Sequence, residues 1–281
     1  MRDVEPVSRL DYDDELRTYN QLLKAAILVS HDAGGIKTSK RYILSTQIYT
    51  RMVVIAYTFF RLLPGNSITR DREEFWDWPT VAAVARNFLE AYLHFYYIGV
   101  DDVSEEEFDF RLKAMWYHLN SEKYRMFKSG PRKIDLTSFE KHLPEEKQIL
   151  RDHPFFYHLT KHQQKSVMSG KSPTYMTKQE LIKRLPFRTE ELAWMYRHHS
   201  NEVHSTALAF HSQSNERGRG EENDAERSYI VFASWLVRKY LAAAILAMAK
   251  IFPNKIGVAE KKAVSIADNQ FHKLIKKDDD V

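Results

Sequence analysis

Tyr196-Arg197-His198-His199-Ser200-Asn201-Glu202-Val203-His204-Ser205 reads as α-helix, and the way its polar residues are spaced decides what kind of helical protein this is. Positions seven apart on an α-helix fall almost on one line, roughly 10 Å apart along the axis. Arg197, Asn201 and His204 therefore share a face, with Ser200 beside them. Ala193 and Trp194 precede them on that face, and Ala207 and Leu208 follow. A seam expected to be apolar is interrupted by a cation, an amide and an imidazole. Polar groups removed from water cost free energy unless paired, so the interruption calls for a partner or a task. Arginine with a titratable histidine is the combination that a phosphate-bearing ligand requires.

The rest of the chain has the same helical character. Leu, Ala, Glu, Lys and Arg abound, while Gly and Pro number only nine each in 281 residues, which favours helices over strands. A 3.6-residue period runs through nearly every segment, and no alternating strand stands out. The formal charge of +4 permits an anionic partner without demanding one. With no cysteine, disulfides, thiolate metal sites and cysteine nucleophiles are excluded. The charged start, Met1 to Pro6, has no apolar core of a signal peptide. Two apolar stretches, 43–63 and 229–252, carry Arg51 and Arg238-Lys239 near their centres, a costly position in a bilayer. Both read as core helices, and a cytoplasmic, membrane-free protein is expected.

Helices are predicted at about 11–32, 39–63, 79–99, 104–129, 189–211, 224–251 and 256–276 by period, caps and breakers. From 133 to 186 the pattern loosens. Pro144, Pro154, Pro173 and Pro186 divide an irregular basic insert into short helices, about 145–152, 155–168 and 177–185. Lys161, Lys165 and Lys171, with Tyr175 and Phe155-Phe156 among the lysines, could track a phosphate backbone while the rings stack on bases. A polar loop at 212–223 with Gly218 and Gly220 is expected to be mobile. The expectation is one all-α domain, 1–281, carrying that insert.

Arginine followed after four to six residues by histidine is the sequence mark of HEPN-domain endoribonucleases, and Arg197 to His204 resembles it, with His198 as the polar residue after the arginine. Arg111 to His118 and Arg151 to His158 have the same spacing. A second resemblance spans about residues 80 to 210. Ala83-Val84-Ala85-Arg86-Asn87-Phe88-Leu89-Glu90, leading to Tyr96-Tyr97-Ile98, looks like a family of uncharacterised bacterial helical proteins thought to be HEPN-like. There an Arg-x-x-x-Glu helix precedes a Tyr-x-x-x-Ser-x-x-x-His helix, here Arg86 and Glu90, then Tyr196, Ser200 and His204. The resemblance implies a HEPN-like helical bundle, and a homodimer lining one cleft with two copies of the motif. It implies metal-independent cleavage of RNA in a bacterial toxin or phage-defence setting, with His204 as general acid or base and Arg197 stabilising phosphoryl charge.

Other readings stand beside it. Arg86 and Glu90, four apart, make an ordinary helix ion pair. Arg197 and His204 could be a polar cluster pinning helices in a non-catalytic binding or assembly module. His198, His199, Glu202, His204 and His211 lie near one another, but no four converge from one helix and the HExxH zinc pattern is missing, so no metal is expected. Neither a phosphate-binding P-loop nor a dinucleotide glycine fingerprint is present, the Gly-x-Ser-x-Gly elbow is missing too, and no cofactor is expected.

Overall fold

The computed structural model describes residues 7–69, 73–131, 134–187, 189–203, 207, 217–253 and 258–279. They are helical, and the lone β-bridge among them joins Trp76 to Gly220. The chain divides into two compact units rather than one: residues 1–100 with 185–281, and residues 101–184.

The first unit contains α1 (Arg9–Asp32), α2 (Lys40–Leu62), α3 (Trp78–Phe95), a π-helical turn (Tyr96–Val100), α8 (Glu190–Val203), α9 (Asp224–Ile251) and α10 (Val258–Asp279). Ser8 starts α1 by accepting the Asp11 N–H, and Asn223 starts α9 by accepting that of Glu226; each offsets an amide the first turn would leave unpaired. Helix α9 packs against α1, α2, α3 and α10, burying Ile230, Ala233, Leu236, Val237, Tyr240, Leu241, Ala244 and Met248. Each large apolar side chain buried in this way contributes about 1.5–3 kcal/mol. Helix α9 is long and apolar enough to cross a membrane, yet 72% of its most apolar window is buried inside the protein. Its central charge is answered within the unit: Arg238 pairs with Glu15 at 2.9 Å, and Ser234 donates to the same carboxylate at 2.7 Å. Where α3 gives way to the π turn, Gly99 lies against α2 so closely that a Cβ would overlap Ser45.

The second unit holds α4 (Glu105–Ser129), α5 (Thr137–Arg151), a 3₁₀ turn (Pro154–His158), α6 (Lys161–Met168) and α7 (Lys178–Lys183). Ser104 caps α4 as its sequence suggests, accepting from Glu107 N at 3.1 Å. The segment from 133 onward is not separate from what precedes it, because Phe139 of α5 packs on Tyr124 and Phe127 of α4. Asn120 also donates to Glu146 at 2.6 Å. Helix α5 therefore begins at Thr137, where Asp135 accepts its N–H at 2.9 Å, and it absorbs Pro144 in its interior instead of starting after it. The expected 155–168 helix splits at Leu159, and Thr160 with Gln163 forms a capping box for α6. Tyr175 and Phe156 are buried. Tyr175, Phe155 and Phe156 all pack around Phe110, so Tyr175 and Phe156 form core and Phe155 is half-buried beside them, not exposed for base stacking as expected. Lys161, Lys165 and Lys171 are exposed.

Of the loop expected to be mobile, residues 212–216 lie outside the described residues. The remainder is anchored, because Trp76 N donates to Gly220 O at 2.9 Å and Arg217 pairs with Glu226 at 3.5 Å.

Candidate functional site

Helix α8 packs on α3, and the contact fixes its rotation. The buried stripe is Leu192, Met195, His199 and Glu202, with the 3-4-3 spacing of a helix seam. Ala193 and Arg197 are exposed, and Trp194 is 51% exposed. The polar residues that interrupt the buried seam are thus His199 and Glu202, while Arg197 stands on the solvent side. Leu192 and Met195 outcompete Ala193 and Trp194 for the interior because they meet α3.

Arg86 and Glu90 of α3 form their i, i+4 pair at 3.4 Å, and Tyr196 of α8 joins it. The Tyr196 hydroxyl accepts from Arg86 Nη2 at 3.2 Å and donates to Glu90 Oε1 at 2.6 Å. The guanidinium also lies over the phenol ring, 5.1 Å from its centroid. The two elements of the sequence resemblance are therefore neighbours. Asn201 Nδ2 donates to the Arg197 carbonyl one turn back, at 3.1 Å, and Ser200 is half-buried. His204 lies outside the described residues, as does His211.

His198 and His199, adjacent in sequence, have different surroundings. His198 is half-buried between Trp194 and Tyr229, stacked on each at 21° with centroids 5.1 and 5.4 Å away. Burial, and then Arg217, hold its pKa below the ordinary value. His199 is fully buried against Trp78, 5.2 Å between ring centroids. Neither of its ring nitrogens has a hydrogen-bond partner among the described residues. Burial pushes its pKa down to about 3, helped by His198 and Arg86. Glu202 and Glu226 are both buried, and desolvation raises both carboxyls against the opposing charge of Arg217. Among the described residues no three His, Asp or Glu side chains form a metal-binding group.

The other two Arg-to-His spacings have structural explanations. Arg111 is fully buried, 2.6 Å from Asp101 and 2.5 Å from Glu107, and His118 contacts the Gly170 carbonyl at 3.0 Å. Arg151 ends α5, whereas His158 belongs to the 3₁₀ turn that follows, so the two do not share a helix. Of the three arginines, Arg111 is withdrawn from any phosphate by burial and Arg151 is divided from its histidine by Pro154, whereas Arg197 is exposed and no proline lies between it and His204.

Sequence reasoning weighed His199 and Glu202 only as metal ligands and did not point to Glu226 or to a buried polar seam. The available signal was the alternative register of α8, in which Leu192, Met195, His199 and Glu202 align as well as Ala193, Arg197 and His204 do. Compared with protein-family models, curated proteins and solved structures, the chain matches none of them.

Proposed function

We propose that this protein is a metal-independent endoribonuclease of HEPN type, acting as a homodimer in a toxin or phage-defence setting. The observation that carries this reading is the position of Arg197, exposed on α8, while the adjacent Tyr196 holds the Arg86–Glu90 pair of α3. A guanidinium left in solvent on a helix otherwise tied to its neighbour is available to a phosphodiester. Arg197 stabilises the charge that builds on the phosphoryl oxygens. His204 serves as general acid or base, its ordinary pKa lying near neutrality. The ribose 2′-hydroxyl attacks the adjacent phosphorus, the bond to the 5′-oxygen breaks, and a 2′,3′-cyclic phosphate remains with a 5′-hydroxyl on the leaving strand. Ser200 and Asn201 flank this chemistry, and Lys161, Lys165 and Lys171 supply a phosphate-binding surface.

Cleavage of a labelled single-stranded RNA tests the reading. His204→Ala lowers the rate by about a hundredfold to ten-thousandfold with helical circular dichroism unchanged. Arg197→Ala lowers it and also weakens binding. EDTA leaves the rate unaltered, since the reading assigns no metal. A wild-type protein that cuts no RNA overturns it in favour of a non-catalytic helical module. The Arg86–Tyr196–Glu90 tie between α3 and α8 is the observation favouring that second reading, because such a tie can exist for packing alone.

A further inference from the structure

Five rings of the first unit touch in series across α8 and α9. Tyr229 stacks on His198, His198 on Trp194, Trp194 meets Phe232 edge-on at 5.9 Å, and Phe232 stacks on Trp235 at 5.5 Å and 10°. On α9, Tyr229, Phe232 and Trp235 recur every three residues along the margin of the buried stripe, and all three are half-buried. Trp194 is the one large apolar side chain of α8 and α9 that is exposed among the described residues. Contiguous exposed apolar patches mark interaction sites, and Trp194 is continuous with the four half-buried rings of this series. The rings lie mostly parallel to their neighbours, which suits a planar guest better than the rounded side chains of a protein helix. Cationic charge accompanies them: Arg197, exposed, is one turn from Trp194, and Arg217 lies over Tyr229, 4.9 Å from its centroid, while pairing with Glu226.

We propose that this aromatic belt is the surface on which bases of single-stranded RNA stack, with Trp194 as the exposed platform and Arg197 taking the adjoining phosphate. The inference rests on the nuclease reading and names its substrate class as unpaired RNA, since bases within a duplex offer no free face. Base–aromatic stacking tolerates any sequence, because every base has a π-face.

The test uses the full chain carrying His204→Ala, so that RNA stays intact, with an eight-nucleotide oligouridylate as ligand. Expected are quenching of tryptophan emission by the single strand, little quenching by the same strand paired to oligoadenylate, and a roughly five- to hundredfold loss of affinity in Trp194→Ala. Trp194→Phe retains most of the affinity. Trp194→Ala leaves the dependence of affinity on salt unchanged, whereas Arg197→Ala flattens it, having lost a phosphate contact. Equal affinity for single strand and duplex, or an unchanged affinity in Trp194→Ala, overturns the proposal. So does conversion of a dimer to a monomer by Trp194→Ala, which assigns the belt to self-association. If Trp194→Ala melts early, quenching of the parent protein and the Trp194→Phe affinity decide. Trp194-dependent binding by a protein that cuts no RNA retains the platform and rejects the nuclease; cleavage with Trp194-independent binding does the reverse.

Discussion

His199 makes the stability of the first unit dependent on pH in a direction that can be worked out. Its imidazole is fully buried and titrates at about 3 in the folded protein, against 6.5 in an unfolded chain. A histidine with a depressed folded pKa contributes stability that is present above 6.5 and lost as pH falls toward 3, because only the unfolded chain takes up the proton in that window. At pH 5 the unfolded state gains about 2 kcal/mol from protonating this one group, while the folded state gains almost nothing. Glu202 and Glu226 act oppositely: their raised pKa values give stability present at low pH and lost as pH rises through the folded values. The wild-type curve therefore mixes signs, and the informative quantity is its difference from His199→Leu. Urea unfolding followed by tryptophan emission reports mainly on the right unit, since four of the five tryptophans, Trp76, Trp78, Trp194 and Trp235, lie there. Trp116, in the other unit, is replaced by Phe in both proteins compared. Between pH 8 and pH 5 the wild type should lose about 2 kcal/mol more than His199→Leu. Parallel curves over that range, within about 0.5 kcal/mol on the scale of a measurable mutational effect, would refute the burial argument.

Three further outcomes follow from the described contacts. Tyr196→Phe removes the hydroxyl that bridges Arg86 and Glu90 and should cost about 1 kcal/mol in urea unfolding; an unchanged midpoint would show that the tie contributes nothing. Arg111→Ala removes the fully buried cation from between Asp101 and Glu107, leaving Arg184 and the Tyr175 hydroxyl on them, and should cost the second unit about 3–5 kcal/mol, seen as early loss of hydrogen-exchange protection across 101–184. Replacing Lys161, Lys165 and Lys171 together by Gln should lower RNA affinity and reduce the salt dependence measured by fluorescence anisotropy, and an identical slope would assign the three to a solvated face.

Helix identity was legible from residue spacing because α1, α2, α4, α9 and α10 each carry an apolar period and, in three cases, a Ser or Asn cap at the start. Pro144 misled because a proline forbids only one backbone bond, and Asp135 with Phe139 holds the preceding turn regardless. The division at Asp101 was illegible for a different reason. At that boundary Asp101 meets Arg184 and Arg111, an ion cluster reaching across the whole second unit that no local pattern announces. In the candidate site, Arg86, Glu90 and Tyr196 could be picked from their spacing, but the rotation of α8 could not. Two registers of that helix differ by roughly a third of a turn, and only the partner surface of α3 chooses between them.

The Arg184 guanidinium reaches Asp101 at 3.0 Å, and these are the last and first residues of the second unit. The unit's two ends therefore meet, which matters for the order of folding. The other unit is assembled from segments before and after this excursion, and joining them costs chain entropy that grows with the logarithm of the intervening length. If residues 101–184 fold first, the effective connection shrinks to a few residues, easing closure by about 3 kcal/mol. Breaking the end-to-end pair with Asp101→Asn should then slow the folding of a body of protein that does not contain it.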